Sequence, residues 1–480
     1  MTILVVDVGT SGLRAAAVNP DATISHEHYS ELLPESPEPG LVEFDALEMA
    51  EVALDLAQRV VSEAGPVSAV GIANQRASTI LWDRATGRPV GPGIGWQDLR
   101  TVGDCLVLQA EGLRLAPNLA ATKVKHLLDT HDPNRERDLC FGTVDTWIAW
   151  VLSEGSSHVT DPSNAAVTGM IVEGAGAWDA GVLDKLGIPE SMLPEIVDSS
   201  GPCAEARAIE GEPPICGIVG DQQASLLGQG CVSPGPAKIT FGTGGMLDTV
   251  IGPTRPSFAT RGYGGTFPIV AWRTSGEVTW GVEAVMLSAG TNVEWLRDDL
   301  GLISNAAESH DVARLVDSTD GVTYVPALLG LGTPHWDYGA RGALLGITRG
   351  TGRAHVVRAV LEGVAQRGAD LVEAAERDAG HEIHALRIDG GMSRNPTFVQ
   401  ALADASQHVV EVSPVVEATT LGAAFLAGLA RGTWSSWSEL EATWAPTTTI
   451  EPSRLLDRER WADAVRRSEQ WYPDLSSINF

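Results

Sequence analysis

An α/β protein of two lobes is predicted by three features of the sequence. Short apolar runs alternate with segments of helical periodicity, the pattern of strands and helices packed in layers. The chain has 480 residues, more than one core holds, so two domains of roughly 200 to 250 residues each are expected. A strand running into G-T-x-G occurs twice, at Gly9 and again at Gly242. Two lobes of related design facing one cleft would produce that echo; so would coincidence between two glycine-rich turns.

The elements follow in order. ILVVD (3–7) reads as a buried strand, and AVGIAN (69–74), ICGIVGD (215–221), AKITFGTGG (237–245), GVTYVPA (321–327) and HALRIDGG (384–391) look like others. Between residues 357 and 378, Val357, Val360, Leu361, Val364, Leu371, Val372 and Ala375 recur at helical spacing. That stripe predicts an amphipathic core helix, with Gly368 on the same face admitting a close neighbour. VSPGP (232–236) is rich in Pro and Gly and marks the linker. The expected domains are therefore 1–231 and 232–480.

Composition narrows the function. A formal charge of −29 argues against nucleic acid or an anionic membrane as partner, but leaves room for an anionic nucleotide held locally. No apolar run approaches the roughly 18 residues of a membrane span. The N-terminus has no basic region ahead of its apolar run, so no signal peptide is expected. Cys105, Cys140, Cys203, Cys216 and Cys231 form no C-x-x-C pair, which fits reduced thiols in a cytoplasmic protein.

Three segments carry candidate chemistry. In DVGTSGLR (7–14) the glycines let backbone N–H groups approach an anion, Thr10 and Ser11 add hydroxyls, and Arg14 adds a cation. Asp7 suits Mg²⁺, which takes one or two carboxylates and keeps several waters. A plain β-hairpin explains the same residues, and a hairpin turn can itself be the cradle. In GIVGDQQASLLGQG (217–230) Asp221 ends a strand and opens a helical stretch. It reads either as a helix N-cap or as the base that takes a proton from a substrate hydroxyl. In GIANQRASTILWD (71–83) and GPGIGWQDLRT (91–101), Gln75, Arg76, Trp96 and Gln97 combine hydrogen-bonding groups with an aromatic plate, as polyol and sugar sites do. A surface hairpin with a packed Trp would look similar.

In order, these segments resemble the FGGY carbohydrate kinases over nearly the whole chain, and within them the glycerol kinase branch. DVGTSGLRAAAV is similar to the first phosphate motif, GDQQASLLGQG to the catalytic segment and FGTGGM (241–246) to the second phosphate turn. PALLGLGTPHWDYGARGALLGITRG (326–350), RIDGGMSRNPTFVQALAD (387–404) and TTLGAAFLAGLARG (419–432) are similar to the C-terminal signature, the adenosine motif and the segment that follows it. The resemblance implies two ribonuclease H-like, actin-like lobes with ATP and a small polyol or sugar in the cleft between them. It implies Asp7 near Mg²⁺, Thr10, Ser11 and Arg14 near the phosphates, and Thr243 along the phosphate path. Gly290, Glu294, Gly391 and Asn395 are implied around the nucleotide, Asp221 as the base, and Arg76, Trp96 and Gln222 on the substrate.

The departures fall on the substrate side. Ala77 stands where that branch has a hydroxyl-binding Glu, Asn118 where it has a Tyr, and Met246 where a Phe packs on the carbons. Ala120 and His126 depart from the first family signature nearby, and RAIEGEPPICGI (207–218) lacks the Gly-Gly-Thr-Arg loop used for feedback by a sugar bisphosphate. An ATP-dependent kinase for a polyol other than glycerol is the expectation, with glycerol the alternative. A non-catalytic nucleotide-binding regulator is the reading from another class, and the intact Asp7, Arg14, Asp221 and both turns speak against it. The oligomeric state, a homo-oligomer included, stays open.

Overall fold

The computed structural model describes residues 1–415 and 417–478. Thirteen strands form one continuous sheet. They are β1 (Ile3–Val8), β2 (Gly12–Val18), β3 (Ile24–Glu31), β4 (Ala69–Asn74), β5 (Ser200–Glu205), β6 (Pro214–Gly220), β7 (Pro236–Phe241), β8 (Gly245–Gly252), β9 (Phe267–Thr274), β10 (Glu277–Met286), β11 (Ala385–Asp389), β12 (Val410–Val412) and β13 (Thr448–Ile450). Their spatial order is β13-β12-β11-β7-β8-β10-β9-β5-β6-β4-β1-β2-β3.

The sheet is the same design used twice. In the first half β3, β2 and β1 are antiparallel neighbours, and β4 and then β6 join in parallel. In the second half β10, β8 and β7 are antiparallel and β11 and β12 join in parallel. That is the five-stranded ribonuclease H-like arrangement in each lobe, so the two G-T-x-G turns are equivalent loops rather than a coincidence. Strands buried on both faces explain the unbroken apolar runs of β1 and β4. The halves meet through β9 and β5, which share one paired position, Ser200 with Thr274.

Helices cover the faces. Eight matter here: α1 (Ala46–Ala64), α2 (Ala121–His131), α3 (Val144–Leu152), α4 (Asp221–Gly228), α5 (Thr291–Asp298), α6 (Arg353–Ala379), α7 (Pro396–Ser406) and α8 (Ala418–Arg431). In α1, Asp45 caps the N-terminus by accepting from Leu47 and Glu48 N–H, and Gly65 ends the helix at φ 79°. The predicted stripe of α6 is buried throughout, and a Cβ on Gly368 would stand 2.7 Å from Leu402 Cδ1. GVTYVPA yields only the short strand Thr323–Val325, paired with Ala343–Leu345 outside the main sheet.

Each lobe has its own core. The first gathers Leu4, Val6, Trp82 and Trp147, and the second Phe241, Val282, Leu361 and Phe398. A third cluster lies between them. There α8, late in the sequence, packs Leu421, Ala424 and Phe425 against Ile3, Val5, Val219 and Leu226 of the first lobe. Glycines permit the approach: a Cβ on Gly71 would lie 2.6 Å from the Ala423 carbonyl oxygen, and one on Gly217 2.8 Å from it. Among the described residues no helix is long and apolar enough to cross a membrane.

Candidate active site

The first turn joins β1 to β2 as a tight hairpin, with the Gly9 N–H donating to the Gly12 carbonyl at 2.9 Å. Gln75, just past β4, steadies it: its backbone N–H donates to Val8 O at 2.7 Å and its side-chain amide to Gly9 O at 3.1 Å. The hairpin and cradle readings therefore coexist. Thr10 is half-buried and accepts from Trp96 Nε1 at 3.1 Å, while Ser11 is exposed at the tip. Asp7 lies opposite Arg14 in the register and accepts from the Thr420 hydroxyl of α8 at 3.3 Å. Burial pushes the Asp7 carboxyl up to about 7; Arg14 pulls it down and Asp221 pushes it up. Arg14 is engaged by carboxylates from both lobes, Glu27 at 2.9 Å and Glu417 at the start of α8.

The second turn, Gly242–Gly244, joins β7 to β8. Ala289 N–H donates to Thr243 O at 2.8 Å and Gly290 N–H to Gly242 O at 2.9 Å, which docks the start of α5 on the turn. Gly290 must be glycine, since its Cβ would sit 2.6 Å from the Gly242 carbonyl oxygen. Gly390 adopts φ 84° against Phe241, carrying the Gly391 loop to the same place. Thr243, Gly290, Gly391 and Asn395 are thus gathered at the end of β7. Asn395 is spent on structure, accepting from Phe398 N–H as the cap of α7 and donating to Ser309 at 2.8 Å. Glu294 is exposed on the first turn of α5.

Between the turns lies a cluster of charge. Asp221 is the first residue of α4; Gly220 occupies the cap position, so the cap reading does not apply. The Asp221 carboxylate accepts from the Gln222 N–H at 2.8 Å and stands 3.5 Å from Arg76 Nε. Burial raises its pKa above the ordinary range, while Arg76 and Lys238 pull it down. Arg76 Nη2 donates to Glu283 of β10 at 2.7 Å, and Nη1 is buried with no hydrogen-bond partner among the described residues. Burial works against the Arg76 charge, but Glu283, Asp221 and Asp248 around it hold it protonated. Lys238 of β7 and Asp248 of β8 face each other across the hairpin at 2.8 Å, both fully buried.

Several of the residues expected on the substrate side are tied to one another through Ser78 and Lys123. The Trp96 N–H donates to Ser78, and Ser78 donates to Gln75. Lys123 of α2 donates to the carbonyls of Trp96 at 3.3 Å and Asn118 at 3.1 Å, bringing those two segments together. Ala77 is buried at φ 62° and Asn118 is exposed. Met246 lies on the β8 face that carries Asp248, two residues along.

This site suits a Mg²⁺-bound nucleotide. Asp7 offers a hard oxygen ligand beside the first turn. A Cβ built on Gly242 or Gly391 would meet nothing within 4 Å, so the backbone at both positions faces open space that a phosphate chain can enter. Lys238, Asp248, Glu283 and Lys123 are not singled out by the sequence reading. For the first three the signal is a charged residue inside an otherwise apolar strand, as in AKITF and GVEAV.

Comparison with known proteins agrees with the geometry. Residues 2–228 match the N-terminal domain of the FGGY family of carbohydrate kinases, and residues 237–431 its C-terminal domain. Glycerol kinase of Dechloromonas aromatica is 41% identical over 98% of each chain. That of Halorhodospira halophila is 42% identical over 98% of this chain and 97% of its own. The solved glycerol kinase of Plasmodium falciparum with ADP matches with a TM-score of 0.90 and 27% identity, covering 100% of this chain and 99% of that one. Xylulose kinase of Rhodospirillum rubrum, at 21% identity, TM-score 0.84 and 99% of each chain, shares the fold. The chain belongs to the FGGY family of carbohydrate kinases, ATP-dependent phosphotransferases with an alcohol acceptor.

Proposed function

We propose that this enzyme phosphorylates a hydroxyl of a four- or five-carbon polyol or sugar, with Asp221 as the base. The observation that carries the reading is the Asp221–Arg76 pair, 3.5 Å apart at the junction of both lobes and flanked by the two glycine turns. The same reading gives residues 1–231 the substrate and the first phosphate turn, and residues 232–480 the nucleotide.

Mg·ATP, when bound, supplies the phosphoryl group and neutralises its charge. Asp7, Thr10, Ser11 and Thr243 would hold that end, and the Gly290 and Gly391 loops the adenosine side. The Asp221 carboxylate accepts the proton of the attacking hydroxyl. Burial shifts the Asp221 carboxyl upward, which strengthens it as a base, and Arg76 and Lys238 pull against that shift. Arg76 Nη1 has a hydrogen to donate to an oxygen beside the reacting one. Trp96 offers the plate against which the C–H side of the substrate packs.

The size preference rests on three side chains. Ala77, Asn118 and Met246 replace a carboxylate, a phenol and a flat ring, and Met adapts to shapes a Phe does not. Glycerol would lose a charge-assisted hydrogen bond worth roughly 1.5–3 kcal/mol, about one to two powers of ten. Glycerol itself is the second reading, favoured by relatives about 40% identical over nearly the full chain that carry that name.

ADP release measured with glycerol, erythritol, pentitols, hexitols and ketoses decides between them. Higher kcat/KM for a longer compound is expected, and Ala77→Glu with Asn118→Tyr should shift the ratio back toward glycerol. A wild-type preference for glycerol over every longer compound returns the reading to glycerol. Asp221→Asn should lower kcat by about 10²–10⁴ with Tm nearly unchanged; full turnover in that variant removes Asp221 from the chemistry.

A further inference from the structure

The Lys238 ammonium is fully buried and is held by two hydrogen bonds and one ion pair. It donates to Gln222 Oε1 at 2.7 Å and Thr240 Oγ1 at 3.2 Å, and pairs with Asp248 Oδ2 at 2.8 Å. An ammonium has no acceptor, so the Gln222 carbonyl must be the atom turned toward it. The other end of the same side chain, the amide N–H₂, is then the end left for the cleft beside Asp221, and Gln222 is only partly buried. The next donor in the cluster is Arg76 Nη1, which is buried and has no hydrogen-bond partner among the described residues. The cluster therefore presents the Asp221 carboxylate beside two donors, with Glu283 turned to Arg76 and Asp248 to Lys238.

A buried ion pair is a costly way to hold two strands together. Replacing such a pair with apolar groups of similar volume is often neutral or stabilising. Here β7 and β8 are already joined by a full antiparallel ladder. Burial also pushes the Asp248 carboxyl up against the pull of Lys238, so the pair is held at some expense.

We propose that Lys238, held by Asp248, is a positioning residue that fixes the Gln222 amide so that it donates to the substrate oxygen next to the reacting hydroxyl. The inference rests on the kinase reading above and deepens it. The reacting oxygen gives its proton to Asp221, and the neighbouring oxygen must accept from Gln222 and Arg76. A vicinal hydroxyl meets that requirement, and so does a keto oxygen; a carbon without oxygen does not.

The test is a cycle in steady-state kinetics. Lys238→Met with Asp248→Leu removes the pair without leaving a lone buried charge, and a thermal melt checks its fold. The paired variant should raise KM for the best polyol about tenfold, the loss expected from one hydrogen bond, with KM for ATP within about threefold. Gln222→Met should cost about tenfold in KM in the wild-type background and less than about twofold in the paired variant, because the two changes act on one interaction. Equal costs in both backgrounds overturn the positioning role. Gln222→Glu serves independently of how the paired variant folds: it keeps the bond to Lys238 and loses the donor, so KM should again rise about tenfold. An unchanged KM there overturns the donor assignment. Wild-type protein that phosphorylates nothing in the panel sinks the kinase reading and this inference together, whereas active wild-type protein with additive costs sinks this inference alone.

Discussion

Lys123 is fully buried and its ammonium faces the carbonyls of Trp96 and Asn118. Burial drives its pKa down to about 7, with Asp98 pulling weakly the other way. An unfolded lysine keeps its proton to about pH 10.4. Between pH 7 and that value the unfolded chain binds the extra proton, so stability rises with pH across the window. Wild-type Tm should therefore climb relative to Lys123→Met between pH 7 and 8.5, and the two melting profiles compared at each pH read it directly. Parallel profiles would mean that the amine carries its charge in the fold. Unlike Lys238 in its apolar strand, this lysine sits in ATKVKH, a run with Thr, a second Lys and His, and only the packing of α2 shows that it is buried. Asp7, Arg76 and Asp221 were legible because their loops have a recognisable spacing. For Asp221 the sequence leaves cap and base open, and Gly220 at the cap position removes the first of these.

At the scale of elements, the closest packing is between α4 and α8. A Cβ on Gly422 would overlap the Ala224 carbonyl, and one on Gly228 the Ala418 carbonyl. Alanine is the better helix former by about 0.8–1 kcal/mol, yet Gly422→Ala should destabilise by about 1–3 kcal/mol because the helices must separate. Urea unfolding measures it, and a raised midpoint would show that the helices have room to give. The sequence pattern of α6 was clear because one face is apolar and one is not. That of α8 was flat, because ATTLGAAFLAGLAR is buried nearly all round and small residues leave little contrast. Neither its extent nor its partner, the first lobe, followed from the sequence. The single shared position between β9 and β5 was equally invisible, since a chain pattern records faces and not neighbours.

For the whole molecule, the proposed function has the two lobes hold opposite ends of one ligand. Asp7 belongs to the first, and the Gly290 and Gly391 loops to the second. Asp7→Ala should abolish Mg²⁺-dependent turnover and the Mg²⁺ dependence of ATP affinity, while the adenosine-side contribution persists. Calorimetry with ATP, with and without Mg²⁺, would reveal it, and an unchanged Mg²⁺ response would take Asp7 out of the metal's reach. The repeated half-sheet was legible in the two G-T-x-G turns, but the crossing of α8 was not, and that crossing sets a timetable. The first lobe cannot cover Ile3, Val5 and Leu226 until Ala418–Arg431 has left the ribosome. With roughly 200 residues still to be made after the first lobe's last strand and helix, and synthesis at about 5–20 residues per second, that wait is about 10–40 s. For that interval the nascent chain carries a finished sheet with one bare apolar face, and whatever shelters that face during translation decides how much enzyme the cell obtains.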